Sequence, residues 1–168
     1  MLSGADGSTV VAYNKLRAKG FVRPATIDDA KYLAPRLRQA DRDECIAVVG
    51  KPPEAFLPGS VTLATGAWTI IAPTGGRIGM FGVSPTPTLP NVGTVWMVAT
   101  DELPKYATQF LRESRRWVSV MQDHYPILWN VVDTRNTVHM RWIAWCGFKF
   151  HGTVAISGLP FLEFSKVR

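Results

Sequence analysis

Cysteine is scarce in this chain, with only Cys45 and Cys146 among 168 residues. Two thiols without a Cys-x-x-Cys pair exclude a disulfide framework and a thiolate zinc finger. Two buried free thiols in a reducing compartment are expected instead. Histidine is almost as sparse. His124, His139 and His151 stand apart in the sequence, with no acidic or cysteine companion at ligand spacing, so no metal site is expected. No apolar run approaches the ~20 residues that span a bilayer. Residues 1–20 hold no apolar leader core. A soluble protein that stays in the cytoplasm, with no membrane partner, is therefore expected. The chain also lacks a Gly-x-Ser-x-Gly elbow, a Walker loop, an internal repeat and any low-complexity tract.

What is present suits one globular domain. Hydrophobic residues make up 46% of the chain, enough for a core without staples. The net charge is +6, which favours acidic partners without choosing among them. The positive residues are dispersed apart from Arg112, Arg115 and Arg116. Residues 1–19 are polar with weak periodicity and predict an arm, leaving residues 20–168 as the domain.

Along that domain, residues 21–24 alternate as a short strand. Thr26 and Asp29 stand at capping-box spacing and predict a helix through Leu33, broken at Pro35 and resumed to about Val49. Leu37, Cys45 and Val48 are expected to share one face of it. A short helix is expected at residues 52–56, then strands at 61–72, 77–84 and 93–100, the last after a proline-rich loop over 84–91. Gly75-Gly76-Arg77-Ile78-Gly79 lies between two strand-like runs and has no helix after it, so it predicts a hairpin turn and not a phosphate loop. Residues 104–125 form the clearest helix, with Tyr106, Phe110, Trp117 and Met121 in one stripe. A buried strand at 127–132 follows. Next come a helix over 136–146 stopped by Gly147 and strands at 148–151 and 161–166. Antiparallel hairpins followed by a strand–helix–strand crossover predict an α/β fold, a mixed sheet with helices on both faces. The strand at 127–132 should lie beside 93–100.

Asn136 precedes Gly147-Phe148 by eleven residues, behind a helix–strand pair. This order and motif resemble the acyl-CoA N-acyltransferase (GNAT) superfamily. The resemblance implies acetyl-CoA as cofactor, with contacts from Val98, Thr100, Lys105 and Asn136. It also implies a pyrophosphate at the start of the long helix. The corresponding segment, Thr100-Asp101-Glu102-Leu103-Pro104-Lys105, has no glycine, carries two carboxylates and loses an amide donor at Pro104. Asp101 suits a helix N-cap and Glu102 a partner of the helix dipole. The tyrosine that commonly serves the family as general acid falls at Ile143, which has no proton to give. Weak or absent acetyl-CoA binding is therefore expected. Asn136 and Asp133 are the catalytic candidates, and Glu44 is a lesser candidate base.

Residues 96–103 and 141–148 resemble, more narrowly, GNAT-like accessory or internal virion proteins of podophages. That resemblance implies phage or host proteins as partners, and the host cytoplasm or the virion as location. The expected function is thus a phage accessory or virion-associated protein with a degenerate acyl-CoA site. The alternative is an active acetyl-CoA-dependent N-acetyltransferase acting on an amine. Nucleic-acid binding ranks third, because no single element interleaves basic and aromatic residues.

Overall fold

The computed structural model describes residues 21–168. The arm expected over residues 1–19 lies outside them. Strand β1 (Phe21–Pro24) leads into helix α1 (Ile27–Leu33), a 3-10 turn (Ala34–Arg36), α2 (Gln39–Val49) and α3 (Pro53–Leu63). Three strands follow: β2 (Gly66–Ile71), β3 (Arg77–Thr86) and β4 (Leu89–Ala99). A second 3-10 turn (Leu103–Tyr106) opens α4 (Ala107–His124). The chain ends with β5 (Ile127–Asp133), α5 (Thr137–Trp145), β6 (Lys149–Ile156) and β7 (Leu159–Val167). Among the described residues, no helix is long and apolar enough to cross a membrane.

The strands form one seven-stranded sheet in the order β1-β2-β3-β4-β5-β7-β6. All neighbours are antiparallel except β4 and β5, which run parallel as the crossover order predicts. Alternation along each strand divides the core in two. Met80 and Val98, paired across β3 and β4, face Leu33, Ala34, Leu37 and Leu57 from the α1–α3 side. Phe81 and Val95 face the other way, with Val118 and Met121 of α4 and Ile143 of α5.

The capping box at the start of α1 forms as expected. Thr26 Oγ1 accepts the Asp29 N–H, and Asp29 Oδ2 accepts the Thr26 N–H. Asp29 does more than cap. It is fully buried, takes a two-point hydrogen bond from Arg23 at 2.6 and 2.8 Å, and accepts the Thr69 hydroxyl at 2.8 Å. Arg77 lies 2.9 Å from its other oxygen. Burial alone would raise this carboxyl. The hydrogen bonds from Arg23, the Thr26 amide and Thr69 overcome it and hold Asp29 well below the usual carboxylate range.

Several local expectations are corrected. Residues 61–63 close α3 and do not open a strand. Proline in the first turn and burial of Leu57 extend this helix over β-prone Val61 and Thr62. The proline-rich stretch is a hairpin turning on Pro87 and Thr88, and Thr88 takes a positive φ of 66°. A register shift at Pro85/Thr86 accommodates the missing amide. Leu37 precedes α2 and is buried, Cys45 is half-buried and Val48 is 45% exposed, so they share no face. The inward residue of α2 is Asp41. In α4 the buried positions are Ser114, Val118, Met121 and Gln122. Phe110 and Trp117 are half-buried, with Trp117 tilted against Trp68 and edge-on to Phe81.

Two outcomes follow. Leu128 is wholly buried in the strand joining the two halves of the sheet. Leu128→Ala should therefore cost about 2–5 kcal/mol in urea denaturation, and a loss under about 1 kcal/mol would contradict this packing. Asp29 titrates lower in the folded state than in the unfolded one. Its stabilisation is therefore complete above the unfolded value of about 4 and is lost as pH falls below it. Between pH 7 and pH 3 the parent should lose more stability than Asp29→Asn. Equal losses would show that the carboxylate contributes nothing.

Candidate active site

Strands β4 and β5 pair over only three positions, Val92 with Ile127, Gly93 with Leu128 and Thr94 with Trp129. Beyond them the strands separate. Gly93 is required at this point, because a Cβ there would lie 2.6 Å from the Tyr125 ring and 2.6 Å from Val83. The Asn130 side chain marks the start of the split, its Nδ2 donating to the Val95 carbonyl at 2.5 Å. The split opens a cavity of about 590 Å³, walled mainly by apolar side chains such as Phe56, Met97, Val131, Trp142 and Phe148.

Backbone alternation decides what the cavity can bind. Val98 and Trp96 turn their peptide groups to β3, while Val95, Met97 and Ala99 turn theirs to the split. At Ala99 both groups are taken. Its carbonyl accepts the Arg38 N–H at 2.8 Å, and its N–H is donated to Asp41 Oδ2 at 2.8 Å. At Val95 the carbonyl is taken by Asn130. Met97 keeps the open strand edge.

A polar cluster fills the outer end of the split. Asp41 is 1% exposed and is held by Arg38 through Nε at 3.2 Å and NH2 at 2.7 Å. Glu44, one turn along α2, accepts the Asp133 N–H at 2.7 Å. Asn136 Nδ2 donates to Asp41 Oδ1 at 3.2 Å and to Glu44 Oε2 at 3.0 Å. His139 lies between the two carboxylates, with Nε2 3.5 Å from Asp41 and Nδ1 3.7 Å from Glu44. Helix α2 thus clamps the last residues of both diverging strands.

The site residues read from sequence fall as follows. Asn136 is buried and caps α5 by accepting the His139 N–H at 3.4 Å, while its amide donor is spent on the two carboxylates. Asp133 is buried, and the hydrogen bond from Arg135 holds its carboxyl below the usual range, which makes it a poor base. The Val98 peptide pairs with Met80, and its side chain packs into the α1–α3 core. Thr100 Oγ1 donates to the Ile78 carbonyl and accepts the Glu102 N–H. Lys105 is paired with Glu102 at 2.7 Å. Asp101 is exposed and caps no helix, because α4 begins only at Ala107 after the 3-10 turn.

That turn consumes the amides an anion would need. The N–H groups of Glu102, Leu103 and Lys105 go to Thr100 Oγ1, the Thr100 carbonyl and the Glu102 carbonyl, and Pro104 has none. Proton donors are equally committed. Ile143 is buried at the tyrosine position. The indoles of Trp142 and Trp145 donate to Ser114 and to the Leu111 carbonyl. Burial pushes the Cys45 and Cys146 thiols up to about 12. The sequence does not single out Arg38 or Asp41, and it leaves His139 without a nearby acidic companion. The available signal was the spacing Arg38, Asp41, Glu44, which lines up one helical face. His139 does have acidic companions, supplied by α2 from a distant part of the chain.

No family model and no curated protein matches this sequence. Solved structures do. The aminoglycoside acetyltransferase AAC(6')-Ib, solved with acetyl-CoA, superposes with a TM-score of 0.66 at 16% identity, over 89% of this chain and 93% of that one. The ribosomal-protein-S5-alanine acetyltransferase of Vibrio fischeri gives 0.61 at 17%, over 88% and 96%. The spermidine N-acetyltransferase of Vibrio cholerae, solved with CoA and spermine, gives 0.59 at 12%, over 89% and 95%. The split mixed sheet and these superpositions together identify the fold of this chain as that of the GNAT acetyltransferases.

Proposed function

We propose that this chain is a GNAT-fold accessory protein whose acyl-CoA groove is closed from within, and that it serves a phage as a virion-associated or accessory component. Its partners are then proteins of the phage or host. The observation that carries this is the occupation of the β4 edge at Val95 and Ala99, on either side of Met97. An acyl-CoA arm is an extended chain with amide groups, suited to lie along an unpaired strand edge. Here Arg38 and Asp41 hold both peptide groups of Ala99 at the outer end of that edge. The spent amides at residues 102–105 and the alkyl side chain of Ile143 support the same conclusion. The phage assignment rests on the resemblance at residues 96–103 and 141–148. Exposed Ile46, Val48, Val49 and Leu63 on α2 and α3 supply apolar surface for a protein partner.

A second function has one observation in its favour, the 590 Å³ cavity beside the open edge of Met97. In that case the chain is an amine N-acetyltransferase. The amine nitrogen attacks the thioester carbonyl, the C–S bond breaks, and the departing sulfur takes a proton. Glu44, bordering the cavity, would be the base within reach.

Calorimetric titration with acetyl-CoA to millimolar concentration separates the two. Little heat and no rise in melting temperature are expected. A ligand at 100 times its Kd would stabilise by about 2.7 kcal/mol, so binding would be plain. Micromolar binding would overturn the closed-groove proposal in favour of the enzyme. Replacing both carboxylates in Asp101→Gly/Glu102→Gly should improve acetyl-CoA binding only slightly, because Asp41 and Arg38 still occupy Ala99. Restoration of tight binding by that change alone would mean that the loop, and not α2, is the obstacle.

A further inference from the structure

We propose that Asp41, Glu44 and His139 form a binding site for one divalent transition-metal ion, with zinc the best match to the donors. One imidazole nitrogen and two carboxylate oxygens, brought together by α2 and α5, lie within 4.8 Å of one another. The second observation is the state of His139. Its residue exposure is 7%, and Nε2 is enclosed without a hydrogen-bond partner among the described residues. That nitrogen stands 3.5 Å from Asp41 Oδ1, too far for a good hydrogen bond. It is close to the ~3.4 Å that separates two ligands on one tetrahedral zinc with bonds near 2.1 Å. A buried ring nitrogen left unpaired beside carboxylates is unfavourable, and a cation between them removes the penalty.

Charge points the same way. Asp41 and Glu44 bring two negative charges, and Arg38 offsets one of them. Among the described residues, Glu44 has no lysine or arginine ion pair, and its 3.7 Å contact with His139 is to Nδ1, the other ring nitrogen. The remaining hydrogen bonds are those of an outer shell that orients ligands. Arg38 and the Ala99 amide fix Asp41 Oδ2, Arg38 also reaches Oδ1, the oxygen that faces His139, and the Asp133 amide fixes Glu44. Asn136 Nδ2, which donates to both carboxylates, would yield its place between them to the ion. A mixed nitrogen and oxygen donor set with three protein ligands suits zinc. All three residues also border the cavity, so a fourth position opens toward it. The bound ion would tie α2 to α5 across the split. The inference goes beyond the proposed function and does not depend on it, since its test contains no acyl-CoA.

The test uses the full chain, stripped with a chelator and dialysed, then titrated with Zn²⁺ by calorimetry and with Co²⁺ by visible absorption. One ion per chain and the visible bands of a four-coordinate cobalt site are expected. The variants are Glu44→Gln, which keeps an acceptor for the Asp133 amide, and His139→Gln, which removes a nitrogen without a partner. Circular dichroism confirms that each is folded, and either one suffices if the other is not. Each folded variant should bind Zn²⁺ about tenfold or more weakly, the least expected even for loss of an outer-shell partner. Absence of a stoichiometric site in the parent would overturn the proposal. So would binding unchanged in the folded variants, which would assign the ion to exposed His124 or His151.

Discussion

The hydrogen bond from the Ala99 amide to the buried Asp41 carboxylate governs the architecture of the split sheet. Strand β4 loses β5 as a partner after Thr94, so its outer peptide groups need another one. Arg38 and Asp41 provide it, and Glu44 does the same for β5 at Asp133. Hydrogen bonds to charged groups contribute about 1.5–3 kcal/mol each, and an orphaned buried amide costs a similar amount. The clamp therefore pins α2 across the gap. Arg38 keeps Asp41 from being a lone buried charge, which would be prohibitive.

The chemistry of the cavity follows from the clamp. A cavity walled by apolar side chains remains, but its polar rim is engaged within the protein. Asn136, Thr100 and Lys105, the positions that the GNAT resemblance marks for a cofactor, hold Asp41 and Glu44, Ile78 and Glu102 respectively. The fold is that of the GNAT acetyltransferases, and the side chains at these three positions are hydrogen-bonded within the protein.

Much of the architecture was legible from local signals. The capping box at Thr26, the Asn136 cap, the Gly147 stop and the parallel β4–β5 pair depend on residues near in sequence or on connection order. At residues 100–105 the amide missing at Pro104 was readable, whereas the pairing of the neighbouring amides was not. A 3-10 turn takes up the amides, and Asp101 caps nothing. Residues 61–63 were misread because burial of Leu57 outweighs the β-preference of Val61 and Thr62. Of the polar cluster, Asn136, Asp133 and Glu44 were legible as single residues, but their assembly with Asp41 and His139 was not. Its contacts join residues 58, 89, 92 and 95 positions apart, and no local pattern carries such pairings. His139 seemed solitary for the same reason.

Amide hydrogen exchange at Ala99 and Asp133, followed by NMR with and without millimolar acetyl-CoA, tests the clamp most directly. If Asp41 and Glu44 hold these amides in the free protein, both exchange slowly, at rates set by sub-global or global opening, and acetyl-CoA leaves them unchanged. Fast exchange in the free protein, with protection gained only when acetyl-CoA is added, would contradict a groove closed from within.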